Sequence, residues 1–162
     1  MLPETLSEEP LAQAIEAHNA AALRGGLRAV GELSLEIDPA HIVDVLRMMK
    51  QQEQFNRLSS VTAVDWYPVE PRFEVVYYLH SLPRNLRLRL KCRLRGDAAE
   101  IDSATAVWDA ANWYEREVFD LFGIQFRNHP DLRRIMMPDD WEGHPLRRDF
   151  PVHGHKYSYQ NE

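Results

Sequence analysis

The chain has 162 residues, of which 44% are hydrophobic and 27% are charged, an ordinary composition for a soluble globular protein. A formal net charge of −6 disfavours nucleic acid as the main partner, and the absence of any run of 18 apolar residues predicts no membrane span. The single cysteine, Cys92, excludes an intrachain disulfide and any four-cysteine iron–sulfur or zinc site.

The first part of the chain predicts two helices and several strands. The first predicted helix runs from Ser7 to about Leu23, and Gly25-Gly26 ends it. Two strands follow over 27–30 and 32–37, and they meet near Gly31. A second helix begins at Asp38-Pro39 and continues to about Gln52. Three more strands are predicted over 60–67, 73–79 and 86–94. In the last strand, apolar residues alternate with Arg87, Arg89, Lys91 and Arg93, so the two sets face opposite sides of a sheet.

Helices and mostly antiparallel strands in this order predict an α+β fold, a two-layer domain that occupies residues 1–123. A short helix near 103–110 leads into a longer one over 112–122, which Gly123 ends. Residues 124–162, which we call the strap, are predicted to form no helix or strand. Because the strap also carries large apolar side chains, it does not have the composition of a disordered tail.

The length of the strap suggests a role in binding, since structureless loops longer than about 15 residues are uncommon within compact domains. We expect the strap to lie extended across a partner protein, rather than on its own domain, although a loop region folded on its own domain is the alternative. Tryptophan and arginine often dominate binding energy, and arginine suits bidentate pairing with carboxylates. The residues expected to hold the strap and its partner together are Glu115, Arg116, Asp120, Arg133, Arg134, Trp141, Arg147, Arg148 and Asp149.

Acidic residues in the predicted 112–122 helix raise the question of catalysis. At 100° per residue, Glu115 falls within the apolar arc, whereas Arg116, Glu117 and Asp120 fall on the far side. Glu115 and Glu117 therefore do not face one site, and the far side is predicted to be a charged surface with an Arg116–Asp120 pair one turn apart. A buried Glu115 needs a cationic partner, for which the arginines of the strap are the expected source.

Two further clusters have alternative interpretations. His129, His144, His153 and His155 stand near aspartates, which leaves open a stand-alone metal-dependent hydrolase, although the sequence has no HExxH motif. The basic strand face over 87–93 lacks aromatic residues that stack on bases, so it is predicted to be solvated or to contact an acidic protein. No catalytic, cofactor-binding or metal-binding residue is therefore predicted for this chain.

Two segments carry a family resemblance: EREVFDLFGIQF at 115–126 and HPDLRRIMMPDDWEGHPLRRDFP at 129–151. They resemble the signature of the 30-kDa-type subunit of the respiratory NADH:quinone oxidoreductase, complex I. The resemblance is dense over residues 110–151 and extends in element order from about Leu33. Asn128 departs from the family pattern, which has a small residue at that position, often glycine.

The resemblance implies a subunit with no active site of its own in an enzyme that passes electrons from NADH to quinone and couples this transfer to proton translocation. It implies that this chain binds no cofactor, while NADH, FMN, iron–sulfur clusters and quinone belong to the complex. The implied partners are the 49-kDa-type subunit and other subunits of the peripheral arm, on the cytoplasmic side of the inner membrane. Because related subunits occur in membrane-bound hydrogenases, a complex of that kind is an alternative.

Overall fold

The fold is built on a five-stranded sheet, in a computed structural model that describes residues 6–151. In chain order the elements are helix α1 (Pro10–His18), strands β1 (Leu23–Ala29) and β2 (Glu32–Ile37), helix α2 (Ile42–Gln51), strands β3 (Arg57–Asp65), β4 (Phe73–Ser81), β5 (Leu86–Leu94) and β6 (Glu100–Asp102), helix α3 (Ala111–Phe122) and strand β7 (Gln125–Arg127). The strand order is β1-β2-β5-β4-β3, and only the β2–β5 pair of this sheet is parallel. This arrangement confirms the predicted α+β class with a mostly antiparallel sheet.

One face of the sheet forms the core with the helices. Leu35 pairs with Leu90, Leu90 with Tyr77 and Tyr77 with Val61, and all four side chains are buried. The predicted inward face of α2 is also buried, which its apolar spacing required. Each such side chain removed from water contributes about 1.5–3 kcal/mol to folding. The opposite, outer face of the sheet carries the basic residues of β5, as their alternation predicted.

The N-terminal helix is shorter than predicted. α1 ends at His18, and Gly25 and Gly26 lie inside β1, where they were expected to stop a helix. A Cβ atom on Gly26 would lie 2.6 Å from the carbonyl oxygen of Ser34, so glycine allows β1 to approach β2 closely. Pairing with β2 thus overrides the helical propensity of the alanine-rich sequence before it.

A second, two-stranded sheet was not predicted. β6 and β7 pair in parallel, and this pairing brings the buried Ile101 next to the buried Phe126. The expectation that no regular element follows residue 124 is therefore wrong for 125–127. Strands of three residues carry too little alternation to be recognised in a sequence.

α3 begins at Ala111, one residue before its predicted start, and ends at Phe122 as predicted. Ser103 caps a single 3₁₀ turn at Ala104–Ala106 before it, and Gly123 adopts φ 75° directly after it. The left-handed conformation of Gly123 is the usual helix-ending geometry, and it turns the chain into β7. Within residues 6–151, no helix has the length and apolar character to cross a membrane.

Candidate docking site

The described part of the strap, residues 124–151, lies on its own domain. Its backbone and side chains donate hydrogen bonds to α3 and to the end of β3. The expectation that the strap lies on a partner rather than on its own domain is therefore wrong for these residues. The physical reason is that the domain supplies buried acceptors, both carboxylates and helix carbonyls, which the N–H groups and arginines of the strap satisfy.

Asp120, near the end of α3, is the main anchor. Its Oδ2 accepts hydrogen bonds from the backbone N–H groups of Ile135, Met136 and Met137 at 3.0, 2.7 and 2.8 Å. Its Oδ1 accepts one from Arg134 Nη1 at 2.6 Å. Burial raises the pKa of Asp120, but the hydrogen bonds from Met137, Arg134 and the other two residues outweigh burial and hold this pKa below its ordinary value.

Arg134 connects this anchor to the middle of the strap. Besides the Asp120 carboxylate, its Nη1 donates to the Asp120 carbonyl oxygen at 3.2 Å. Its Nη2 donates to the carbonyl oxygens of Trp141 and Gly143 at 2.9 and 3.0 Å. One guanidinium thus fixes the course of the strap over 134–143, because it is planar and its donors point in fixed directions.

Arg116 does not form the predicted pair with Asp120. It is buried, and its Nε and Nη2 donate to the carbonyl oxygens of Arg133 and Arg134, both at 3.2 Å. Its guanidinium also lies over the ring of Trp113, 5.0 Å from the ring centroid. The prediction that this side of α3 is a charged surface is wrong for Arg116 and Asp120, because the strap covers that side of the helix and buries both residues.

The second half of the strap satisfies the last carbonyl groups of α3, which have no partner within the helix. His144 Nδ1 donates to the Asp120 carbonyl oxygen at 2.9 Å, the Leu146 N–H to that of Leu121 at 3.0 Å, and Arg147 Nε to that of Phe122 at 2.6 Å. Burial lowers the pKa of His144. The helix end is therefore capped by side chains and backbone from more than twenty residues further along the chain.

The end of the strap is held by a carboxylate–arginine cluster on the sheet. Asp65, at the end of β3, pairs with Arg72 at 2.8 Å, and Arg72 in turn pairs with Asp149 at 2.6 Å. The Arg148 backbone N–H also donates to Asp65 Oδ2 at 2.9 Å. Burial raises the pKa of Asp65, but hydrogen bonds from Arg72, Arg148 and Tyr67 outweigh burial and lower it to about 2.

Glu115 is buried as predicted, but it is not paired with an arginine. Its Oε2 accepts a hydrogen bond from Ser103 Oγ and its Oε1 from the Ala104 N–H, both at 2.6 Å. Burial raises the pKa of Glu115 to about 7, against the lowering effect of these two neutral donors. The predicted pairing is wrong because the arginines of the strap bind the other side of α3.

The imidazole of His129 lies near the carboxylate of Glu115. Its Nε2 is 3.9 Å from Glu115 Oε2, donates to the Asn112 carbonyl oxygen at 3.1 Å, and therefore carries the proton. Its Nδ1 accepts from the Asp131 N–H at 3.0 Å, so both ring nitrogens bond to backbone groups. The preceding Asn128 adopts φ 62°, a left-handed conformation in which asparagine is enriched over other residues that carry a Cβ atom.

The described residues do not provide the cluster of ligating side chains that a metal site needs. Over residues 6–151, no group of three or more histidine, cysteine, aspartate or glutamate side chains is placed to hold an ion. His129 and His144 each bond to backbone carbonyls of α3. His153 and His155 lie outside the described residues.

The outer side of the strap exposes apolar side chains. In the strap, Met136 is 61% exposed and Leu146 is 52% exposed. Trp113, in the first turn of α3, is 61% exposed. Trp141 is half-buried, and Arg133 is exposed and pairs with Asp131 at 2.9 Å. Apolar groups of this size beside arginines are typical of a surface that contacts another protein.

Sequence patterns missed three residues of this site: Ser103, Asp65 and Arg72. Ser103 precedes a short helix, so its capping role was recognisable, but its bond to Glu115 was not. In the alternation of β3, Asp65 falls at a position that faces the core, which is a weak sign that its carboxylate is buried. Nothing local connects Arg72 with Asp149, because the two are separated by 77 positions.

The sequence match to known proteins agrees with the family that the signature indicated. Residues 35–156 match the family described as respiratory-chain NADH dehydrogenase, 30 Kd subunit. The chain therefore belongs to this family of complex I 30-kDa-type subunits, which confirms the resemblance. One relative is the C-type subunit of the NADH-quinone oxidoreductase of Geobacter sulfurreducens, 51% identical over 125 residues that cover 76% of this chain and 77% of that protein.

Two solved structures share the fold. A trypsin-resistant fragment (1-134) of Nqo5 is 30% identical, with a TM-score of 0.66 over 75% of this chain and 98% of the fragment. A chain of the membrane-bound sulfane sulfur reductase, an archaeal respiratory membrane complex, is 32% identical, with a TM-score of 0.75 over 90% of this chain and 85% of that one. The fold therefore also occurs in a chain of an archaeal respiratory membrane complex.

Proposed function

We propose that this chain is a non-catalytic, cofactor-free subunit of the peripheral arm of respiratory NADH:quinone oxidoreductase. In this role it supports assembly beside the 49-kDa-type subunit, on the cytoplasmic side of the inner membrane. The complex as a whole passes electrons from NADH to quinone and couples this transfer to proton translocation. Membership of the 30-kDa subunit family supports the proposal.

The observation that carries the docking role is the two-sided character of the strap. Its inner side is bound to Asp120, Asp65 and the end of α3, while its outer side presents Met136 and Leu146 to solvent. A segment that is pinned in this way has already lost most of its conformational freedom. Binding through its outer side therefore costs little further entropy.

Point variants of the outer side test this role without breaking the fold. In co-expression with the 49-kDa-type subunit, Met136→Asp is expected to lower the amount of co-purified partner at least tenfold, because it buries a charge at the contact. The matched control is Val30→Asp, which places the same charge on a fully exposed apolar residue of the β1–β2 turn. Equal co-purification by both variants would show that this side of the strap is not the docking surface.

The remaining docking residues predicted from the sequence belong to the same proposal. Trp141 is half-buried, so we expect its exposed edge to contact the partner, and Trp141→Ala to weaken assembly by about 2 kcal/mol. Arg133, Arg148 and Asp149 are exposed along the strap and are expected to form polar contacts around this apolar centre. A variant with unchanged affinity at Trp141 would restrict the contact to the Met136 side.

Cofactor content gives a separate test of the cofactor-free role. The purified full-length chain is expected to contain substoichiometric iron and flavin, measured by elemental analysis and absorbance. Cys92 is buried in the core and its pKa is raised by burial, so its thiol is a poor ligand. Stoichiometric iron or flavin bound to the isolated chain would contradict the proposal.

An equivalent role in a related membrane-bound complex is the second candidate. The similarity to a chain of the membrane-bound sulfane sulfur reductase, over 90% of this chain, favours it. The two candidates differ in the electron donor of the assembled complex. Purification of the native complex through a tag on this chain decides between them, since only the first predicts NADH oxidation by the purified assembly.

A further inference from the structure

The outer face of the five-stranded sheet contains a recess that the described part of the strap, residues 124–151, does not line. It has a volume of about 520 Å³ and lies between β2, β5, β4 and β3. The side chains that matter here are Arg57, His80, Arg87, Arg89 and Glu32. A volume in this range is typical of sites that bind small molecules.

The strand register places three of these residues in one row. Arg57 of β3 lies opposite His80 of β4, and His80 lies opposite Arg87 of β5. Because neighbouring strands are about 4.8 Å apart, the two arginines start about 10 Å apart with the imidazole between them. Both arginines are exposed, so their long side chains are able to close over a ligand that sits on His80.

Two buried nitrogen atoms in the recess have no hydrogen-bond partner within residues 6–151, namely His80 Nε2 and Arg89 Nε. Arg89 Nε is a donor, and His80 Nε2 donates when it carries the imidazole proton. The guanidinium of Arg89 is held in place, because its Nη2 donates to Glu32 and it lies over the Tyr78 ring at 5.0 Å. A buried donor without a partner costs about 1–3 kcal/mol, so such groups call for a bound acceptor. Both donors belong to residues that line the same recess.

The charge of the recess defines the ligand. Three arginines and one glutamate give a formal charge of +3 − 1 = +2, on a chain whose total is −6. A phosphate monoester carries about −1.5 to −2 at pH 7 and has three strong acceptor oxygens. We propose that the recess binds a phosphate monoester, with Arg57 and Arg87 on either side of the phosphate and with His80 and Arg89 as buried donors. This site is independent of the docking role of the strap.

Calorimetric titration of the full-length chain with adenosine monophosphate and with inorganic phosphate tests the site. Sedimentation with phosphatidic acid vesicles, against phosphatidylcholine vesicles, distinguishes a lipid source of the phosphate. Saturable one-to-one binding is expected, and Arg87→Gln is expected to weaken it at least about tenfold, the effect of one lost charged hydrogen bond. Arg95→Gln is the matched control, since Arg95 lies just beyond β5, is 73% exposed and is outside the recess.

Two further measurements keep the result specific. The imidazole signals of His80 are expected to shift on addition of adenosine monophosphate, and the circular dichroism melt of Arg87→Gln is expected to match that of Arg95→Gln. If Arg87→Gln unfolds, Arg87→Lys replaces it, because lysine keeps the charge but loses the paired donors. Absence of saturable binding in all arms, or equal weakening by Arg87→Gln and Arg95→Gln, would overturn the proposal.

Discussion

Two buried carboxylates on one helix have pKa values that are shifted in opposite directions. Glu115 and Asp120 are five positions apart on α3 and both are fully buried. Burial raises the pKa of Glu115 to about 7, whereas the pKa of Asp120 is held below its ordinary value. The difference lies in the donors: a hydroxyl and one N–H for Glu115, and three N–H groups with a guanidinium for Asp120.

The comparison shows that burial alone does not determine the charge of a carboxylate. At the side of α3 that faces Ser103, two neutral donors do not offset the loss of water, and the pKa of Glu115 rises. At the side that faces the strap, four donors stabilise the charged form and thereby fix the strap. Glu115 is thus a packing residue, while Asp120 ties together segments that the sequence separates.

Asp120→Ala is expected to have the largest effect. Removal of the carboxylate leaves Arg134 and three backbone N–H groups without their acceptor, which is expected to lower the free energy of unfolding by about 4 kcal/mol. Urea denaturation of the full-length chain measures the loss. Cleavage by trypsin after Arg133 and Arg134 is expected to accelerate in parallel, since the strap is released.

Asp120→Asn is the matched control, because it keeps the shape and one acceptor oxygen but removes the charge. Its loss is expected to lie between zero and that of the alanine variant. The wild-type contribution is present above the pKa of the unfolded carboxyl, about 3.9, and is lost as the pH falls through the lower folded pKa. Full stability of Asp120→Ala at pH 7 would show that the strap is held elsewhere.

Glu115→Gln is expected to change the pH dependence of stability. The folded protein keeps the Glu115 proton up to pH about 7, while the unfolded chain releases it near 4.5. Stability is therefore lost as the pH rises between these values, by about 3 kcal/mol at 1.36 kcal/mol per pKa unit. Glutamine cannot ionise, so urea denaturation at pH 5 and pH 8 is expected to show the variant gaining about that amount relative to wild type.

The glutamine variant isolates this carboxyl from its neighbour His129, which is present in both proteins. Its amide oxygen still accepts from the Ala104 N–H, and its amide nitrogen donates to Ser103 Oγ, which is also able to accept. An identical pH profile for the two proteins would mean that Glu115 is ionised in the fold, as Asp120 is.

Arg72→Ala extends the comparison to the other charged anchor. Loss of Arg72 leaves Asp65 buried with only the backbone donors from Tyr67 and Arg148, and Asp149 without its partner. Arg72→Ala is expected to lower the free energy of unfolding by about 2 kcal/mol, since a hydrogen bond to a charged group contributes about 1.5–3 kcal/mol. Arg72→Lys keeps the charge and is expected to recover about half, with both variants compared by urea denaturation at pH 7.

The sequence predicted the parts of α3 that depend on one buried face. Helical spacing placed Glu115 among apolar residues, and Gly123 marked the end of the helix. The same spacing failed for Arg116 and Asp120, because a helical projection assumes that one side faces water. In the structure the sheet covers one side of α3 and the strap the other, so a charged side became a second buried surface.

Local sequence patterns could not predict the contacts of the strap, for a related reason. Proline spacing showed that it forms no long helix or strand, but its course depends on Arg134 reaching Asp120, 14 positions away, and on Arg72 reaching Asp149, 77 positions away. Such pairs leave no periodic signal in the sequence. The sequence therefore predicted the residue types that hold the strap, but not the partners that they bind.

The smallest expected effect belongs to Glu117, the third carboxylate in the middle of α3. It lies between Glu115 and Asp120 in the chain but is exposed, so neither burial nor a set of buried donors acts on it. Glu117→Gln is expected to change the free energy of unfolding by less than about 0.5 kcal/mol at pH 5 and at pH 8. Urea denaturation under the conditions used for Glu115→Gln makes the comparison direct, since the substitution is the same and only the surroundings differ. A pH-dependent loss as large as that at Glu115 would mean that helix position, and not burial, sets the charge of these carboxylates.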